Sequence, residues 1–399
     1  MIKVSFLGDI MCEKPFLKAA VKREFDFYSA FSNLNSFLSE ADYVVANLET
    51  PIAGKEYKFT NNIYSFNTPV EFLDSLKKIK IDLYLTANNH CLDRGINGLN
   101  ITLDELDKRN MAHTGTFRSK EEQKNIFIHN FDGLKCAFVS CNAYINRDNW
   151  LKFRKELSPY CINSLIDMDS LINYRAKSIP FYYLRTKFSN GFISDFRVYL
   201  RRIFAKKPKP HTDNEPLFEI QGNVLENIKN HIEEAKNYAD LVFLLPHCGG
   251  QFNVQPGVTS IELFNKLFEF GADAVIASHP HVIQKITFNE NKPCVFSLGN
   301  VSMSPSSPYI VESSLPQYGL IYNVYIDNKA IVKTSFSIIK MVEESDHYPL
   351  VFLTDVLYEK SNCKQKELIK NDISHLYQRI TGNNSFPGIQ REYPLKQLQ

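Results

Sequence analysis

Short apolar strands that each run into residues of a metal-ligating type constrain this chain more than any other feature. Lys3–Leu7 leads into Gly8-Asp9, Tyr43–Ala46 into Asn47-Leu48-Glu49, and Leu83–Thr86 into Asn88-Asn89-His90. Leu241–Leu245 leads into His247-Cys248-Gly249-Gly250, and Ala274–Ala277 into Ser278-His279-Pro280-His281. Helical periods stand between them: Ser29–Glu40, Val70–Ile79, Gly98–Arg109, Val224–Tyr238 and Ile261–Phe270. Asn125–Asn130 and Lys135–Asn142 read as a hairpin across Asp132-Gly133. Later strands follow at Cys294–Leu298, Gly319–Ile326 and Ala330–Ile339. The pattern predicts a layered α/β fold with mixed sheets.

In open α/β sheets, ligands bind outside the carboxyl ends of the strands. Polar groups set directly after five strands therefore converge on one rim. Two carboxylates, one amide and three or four imidazoles can hold two divalent ions. Imidazole and carboxylate suit Mn, Fe or Zn, and the absence of a thiolate motif disfavours a closed structural zinc site. The His-Pro-His pair cannot share a helix face, so it reads as a turn that sends two imidazoles to adjacent positions. His113 stands at another strand end and is a further candidate for lining the site. His129, His211, His231, His347 and His375 have no companions and read as ordinary core or surface residues.

At 399 residues the chain has room for two or three domains, or one large α/β unit with insertions. Apolar residues at 44% and charged residues at 23% exclude wholesale disorder. The formal charge of +2 argues against a chain-wide polyanion binder, so no specific nucleic acid is expected. No apolar run approaches the ~18 residues of a membrane span, and the N-terminus lacks the apolar core of a signal peptide. The 8 cysteines form no Cys-x-x-Cys pair, which predicts buried thiols and a cytoplasmic location.

Residues 151–210 differ in composition. Thirteen basic against four acidic residues give this stretch +9, and aromatics are dense from Phe181 to Phe204. Lys206-Lys207-Pro208-Lys209-Pro210 closes it like a linker. It reads as a basic helical insertion between core segments 1–150 and 211–345, with 346–399 as a C-terminal helical extension. Asp195–Lys207 sets Phe196, Tyr199, Leu200, Ile203 and Phe204 at helical spacing, with Arg197, Arg201 and Arg202 elsewhere. This suits a peripheral membrane contact through 181–207, a lid on an anionic polymer, or a helix packed on its own domain.

The ordered motifs resemble the CapA-type poly-γ-glutamate capsule-synthesis family. They are Phe6-Leu7-Gly8-Asp9-Ile10-Met11, Ala46-Asn47-Leu48-Glu49-Thr50-Pro51-Ile52 and Thr86-Ala87-Asn88-Asn89-His90-Cys91-Leu92-Asp93-Arg94-Gly95. Gly115-Thr116, Pro246-His247-Cys248-Gly249, Gly271 to Gln284 and Phe296-Ser297-Leu298-Gly299-Asn300 complete the set. That family is similar to calcineurin-type metallophosphoesterases, which implies a double β-sheet sandwich flanked by helices. The resemblance implies Asp9 and His281 on a first metal, His247, His279 and Asn89 on a second, and Glu49 bridging both. It implies His90 as general acid, with Asp93 on its other ring nitrogen. The superfamily's histidine two residues after the aspartate is here Met11, its bridging aspartate is Glu49, and the family's His-Trp-Gly is His247-Cys248-Gly249. One or two ions follow, and a phosphorylated intermediate or anionic polymer as partner. The implied activity is phosphoester hydrolysis by metal-activated water. The alternative is a non-catalytic or amide-acting component of polymer assembly.

Overall fold

The computed structural model describes residues 1–178 and 208–397. The first four strands, β1 (Ile2–Ile10), β2 (Tyr43–Leu48), β3 (Leu83–Leu85) and β4 (His113–Thr114), are parallel neighbours in one sheet. The next six build a second sheet: β5 (Ile128–Phe131), β6 (Leu134–Asn142), β7 (Leu241–His247), β8 (Ala274–Ile276), β9 (Ile286–Asn289) and β10 (Lys292–Val295). Its order is β5-β6-β7-β8-β10-β9, with a parallel centre. The last five strands return to the first sheet: β11 (Asn300–Ser302), β12 (Tyr318–Asp327), β13 (Ala330–Glu343), β14 (Pro349–Leu353) and β15 (Tyr393–Gln397). There β12 pairs antiparallel with β1, and β13 with β12, while β11 lies parallel against the end of β1.

The two-residue period of a strand explains how the sheets stack. Phe6, Tyr43, Val45, Leu83 and Leu85 face one shared core with Phe138, Phe243, Leu245 and Ile276 of the other sheet. Phe243 stacks on Phe138 at 5.4 Å between ring centroids and meets Phe6 at 5.5 Å. The alternate residues point outward. Val44, Ala46 and Tyr84 meet Phe16, Phe31 and Phe72 from helical segments Lys14–Lys22, Tyr28–Phe31 and Glu71–Leu76. Val139, Val242 and Val275 meet Leu103, Ile228, Ile232 and Phe264 from helices Gly95–Lys108, Val224–Tyr238 and Val258–Glu269. The architecture is a two-sheet α/β sandwich flanked by helices, as expected.

Some details differ from the sequence pattern. The helical period over Ser29–Glu40 breaks into one-turn pieces at Tyr28–Phe31, Ser32–Leu34 and Asn35–Leu38. Ser32 and Ser39 hydroxyls donate to the carbonyls of Ser29 and Asn35, a local competition with helical bonding. Residues 151–178 of the basic stretch pack into the core. Ile162, Leu165, Met168 and Leu171 pack on the outer face of the second sheet, and Ile162 and Ser164 bridge to Thr116 and Asn142. Segment 346–399 holds helices Thr354–Lys360 and Cys363–Thr381, and it also supplies β14 and β15 to the first sheet. The expected helix Asp195–Lys207, with the membrane or polymer contact over 181–207, lies outside the described residues. All 8 cysteines are free, and only Cys363 is exposed. Among the described residues no helix is long and apolar enough to cross a membrane.

Phe243 is fully buried at the centre of the inter-sheet aromatic stack. Phe243→Ala is expected to destabilise the fold by about 3–5 kcal/mol, since the rigid sheets cannot collapse into the cavity. Equilibrium denaturant unfolding measures this as a lower midpoint at unchanged slope.

Candidate functional site

The face-to-face stacking brings the carboxyl ends of β1, β2, β3, β7 and β8 to one edge. There the chain collects Asp9, Glu49, Asn89, His90, Asp93, His247, His279 and His281, all of them buried. The β1 ladder runs past Leu7, so Asp9 stands within it, in register with Asn47 on one side and Asn300 on the other. Gly8 permits that crowding: a Cβ there would lie 1.9 Å from the Gly299 carbonyl oxygen.

Asp9 Oδ1 accepts from Asn47 Nδ2 at 2.7 Å, and Oδ2 lies 3.3 Å from His281 Nδ1. Burial alone would raise the Asp9 carboxyl, but the bond to His281 and the nearby His247 and His281 charges hold it down at about 2. His281 goes the other way. Burial disfavours its cation, yet the Glu49 and Asp9 carboxylates push it up to about 9. His279 faces mainly other imidazoles in a buried setting, and both effects lower its proton affinity well below the ordinary histidine range.

Glu49 sits where these groups meet. Its Oε1 is 3.4 Å from His247 Nε2, 3.7 Å from His281 Nε2 and 3.9 Å from His90 Nε2. Neither Glu49 oxygen has a hydrogen-bond partner, although both are buried. Glu49, His247 and His279 present ligand atoms within 4.8 Å of one another, and so do Asp9, Glu49 and His281. A buried carboxylate without donors, shared by two such groups, fits a divalent cation. Asn89 Oδ1 adds an oxygen 2.8 Å from His247 Nε2. These groups of buried His, Glu and Asp could hold a metal ion.

The His-Pro-His turn is backbone-strained. His279 has φ +105° and His281 φ +56°, a region that costs a side-chain-bearing residue about 1–3 kcal/mol. The strain places one imidazole in each ligand group. The His279 N–H also donates to Asp9 Oδ2 at 3.2 Å.

His90 stands beside these groups with its Nδ1 2.7 Å from Asp93 Oδ2. Burial opposes its cation, but the Asp93 charge outweighs that and raises its proton affinity. Asp93 is itself fixed by donors: Phe66 N–H at 2.7 Å, Asn149 Nδ2 at 2.8 Å and Asn146 Nδ2 at 3.3 Å. Asn146 also accepts from Asn89 at 3.2 Å, tying the acid pair to the ligand group.

Sequence reasoning did not single out Asn146 or Asn149 as site residues, and it gave Asn47, which opens the Asn47-Leu48-Glu49 segment, no role of its own. A lone asparagine beyond a strand carries no signal until the fold supplies its neighbour. Asn300, which closed the last motif, lies 3.0 Å from His281 Nδ1 and donates to the His281 carbonyl at 2.8 Å. His211, read as ordinary, instead lines a cavity beside Asn89 and His279. His113 does not join the cluster and pairs with Asp107 at 3.0 Å. The Met11 side chain takes no polar role: it is buried with Phe66, Phe252, Val282 and Met303 in an apolar cluster.

A family model described as bacterial capsule synthesis protein PGA_cap matches residues 3–304. The PGA biosynthesis protein CapA of Bacillus subtilis (strain 168) is 24% identical over 81% of this chain and 69% of its own length. The capsule biosynthesis protein CapA of Bacillus anthracis is 21% identical over 80% of this chain and 64% of its own length, so the chain spans about two thirds of these relatives. A crystal structure of a hypothetical protein from Thermus thermophilus covers 88% of the chain at 14% identity and a TM-score of 0.38.

Glu49 lacks a hydrogen-bond donor but lies within ion-pair distance of His247, His281 and His90, so Glu49→Gln is expected to lower the melting temperature of metal-free protein, since it removes one partner of a buried charge pair. The same variant should lose the further rise that added Mn or Zn gives the wild type. Thermal unfolding with chelator and with metal measures both arms. A metal-free Glu49→Gln protein as stable as wild type or more so would show that the surrounding imidazoles do not compensate the carboxylate.

Proposed function

The chain belongs to the bacterial capsule synthesis protein PGA_cap family, and we propose that this protein is a metal-dependent hydrolase acting on a phosphoester of a capsule or poly-γ-glutamate pathway intermediate. The observation that carries the reading is Glu49, shared by both ligand groups without a hydrogen-bond donor, next to a histidine whose proton affinity Asp93 raises. Asp9 and His281 would hold one ion, His247, His279 and Asn89 a second, and Glu49 both. With Met11 in place of a ligand, the first group has fewer donors, which favours unequal affinities. Mn, Fe or Zn held there supplies a Lewis acid and a water-derived nucleophile at neutral pH.

The chain's own residues provide the remaining chemistry. His90 directs Nε2 toward the cluster while Asp93 holds Nδ1, so a proton on Nε2 is available to a leaving oxygen. Such a transfer contributes roughly 10²–10⁴ in rate. Asp93 favours the charged imidazole before transfer, and Asn146 and Asn149 keep Asp93 in place. The Phe66 ring lies tilted against His90 at 4.3 Å between centroids, which restrains the imidazole and shields it from water.

The +9 charge of residues 151–210 favours a second reading, a non-catalytic or amide-acting assembly component that binds polyanion or membrane. On that reading a Glu49→Gln, His90→Ala double variant still supports capsule production. Replacing Arg197, Arg201 and Arg202 by Gln should then weaken cosedimentation with anionic vesicles or polymer at low salt, since exposed charges are screened over ~8 Å at physiological ionic strength.

His90→Ala is expected to lower hydrolysis of a generic phosphodiester by about 10²- to 10⁴-fold at unchanged metal content. His279→Ala should instead reduce bound metal. Elemental analysis alongside turnover separates the two, and loss of metal from His90→Ala would place His90 among the ligands.

A further inference from the structure

The His-Pro-His turn places two side-chain-bearing residues at positive φ within three positions, and each has to present its imidazole to a different ligand group. A strained loop of this kind keeps one geometry only where its surroundings hold it. Hydrogen bonds to the backbone around the turn supply that hold. Phe252 N–H donates to the Pro280 carbonyl at 2.7 Å, and the Phe252 ring lies 5.9 Å from the His281 ring. Ser314 Oγ donates to the Phe252 carbonyl at 2.8 Å. Gln284 Nε2 donates to the Asn253 carbonyl at 2.7 Å.

One side chain joins these pieces from another element. Arg379, in the last turn of the helix Cys363–Thr381, directs Nη1 to the Ser314 carbonyl at 3.0 Å and to the Ile283 carbonyl at 3.3 Å. Ile283 stands two residues after His281 and is fully buried. Ser314 leads through Phe252 to Pro280. The guanidinium therefore grips the turn at both ends of one chain of bonds. Its own helix is firmly seated, with Ile369, Ile373, Leu376 and Ile380 in the core shared by the two sheets. Among the described residues no carboxylate pairs with Arg379, and burial lowers its proton affinity. Desolvating a guanidinium without a counter-ion is unfavourable, and the two carbonyls are the compensation this one has.

We propose that Arg379 is a positioning residue for the metal centre. It braces the His-Pro-His turn directly at Ile283 and indirectly at Pro280, and so keeps the His279 and His281 imidazoles at the spacing an ion requires. The role rests on the reading that the cluster holds metal, and not on which bond is broken there. Groups that orient metal ligands without touching the ion typically account for about 10- to 100-fold in affinity. Metal affinity is thereby tied to a helix that supplies no ligand.

Calorimetric titration of the chelator-treated full chain with Mn, and separately with Zn, tests this. Arg379→Gln should weaken metal binding roughly 10- to 100-fold. Arg379→Lys, which keeps a charged donor but not the planar fork, should fall between it and wild type. Ser314→Ala removes the bond to Phe252 and leaves Arg379 in place, so a smaller loss is expected. Ile373→Ala opens a cavity under the same helix; it should lower the melting temperature yet bind metal as wild type does. Wild-type affinity in Arg379→Gln, or a loss no greater than that of Ile373→Ala, overturns the bracing role and leaves the metal centre intact. Should Arg379→Gln fail to fold, wild-type affinity in both Arg379→Lys and Ser314→Ala overturns it. A wild type that takes up neither ion removes the bracing role together with the metal-dependent reading. Metal binding by a protein that hydrolyses no phosphodiester leaves the role of Arg379 standing and removes the hydrolase.

Discussion

Everything at the site depends on the aromatic contact between the two sheets. Phe6, Phe138 and Phe243 interlock at 5.4–6.4 Å and set the separation of the sheets. The ligand groups are divided between those sheets: Asp9, Glu49 and Asn89 lie at the ends of strands of the first or just beyond them, His247, His279 and His281 at or beyond the ends of strands of the second. No group of three forms from one sheet alone among the described residues. A change in inter-sheet spacing of a fraction of an ångström would alter every distance across the cluster while leaving each strand intact. Asn47 fixes the top of the same seam, reaching Asp9 at 2.7 Å and His247 at 3.2 Å from one amide nitrogen.

The cluster is costly to the apoprotein. Two carboxylates and four imidazoles lie at most 5% exposed, two of the histidines hold strained backbones, and Glu49 has no donor. Such concentrations of unfavourable terms persist where the surrounding structure over-determines them and where function draws on them. Here the over-determination is visible in the β1 ladder, which holds Asp9 between two strands, and in the four hydrogen bonds that fix Asp93 and His90.

The strand-end pattern in the sequence located the cluster because its residues obey a local rule, an apolar run followed at once by a ligand-type side chain. Val224–Tyr238 was legible for the same reason, its apolar residues recurring at helical spacing over four turns. Short pieces were not legible. β11 is three residues, Asn300–Ser302, and is a strand only because the end of β1 lies beside it. Likewise Asn149 and Asn146 acquire a role from Asp93, more than fifty residues earlier, and His211 from a cavity whose walls arrive from six separate segments. Residues 151–178 were legible as an insertion by composition, but not how they pack: the apolar residues between their basic side chains, Ile162, Leu165 and Leu171, join the core.

The path of the chain between the sheets bears on how this protein is made. β1 lies in the middle of its sheet, yet the strand on its other side, β12, arrives far later; Ser5 and Asn323, hydrogen-bonded at 2.7 Å, are 318 residues apart. Closing a loop of that size costs about 5 kcal/mol of chain entropy beyond a length-independent constant. During synthesis β1, β2 and β3 can pair at once, but one edge of β1 stays open until β12 emerges. β1, made long before its partner β12, is thus among the last strands to be sealed, and through that interval an apolar strand edge is exposed to any neighbouring chain.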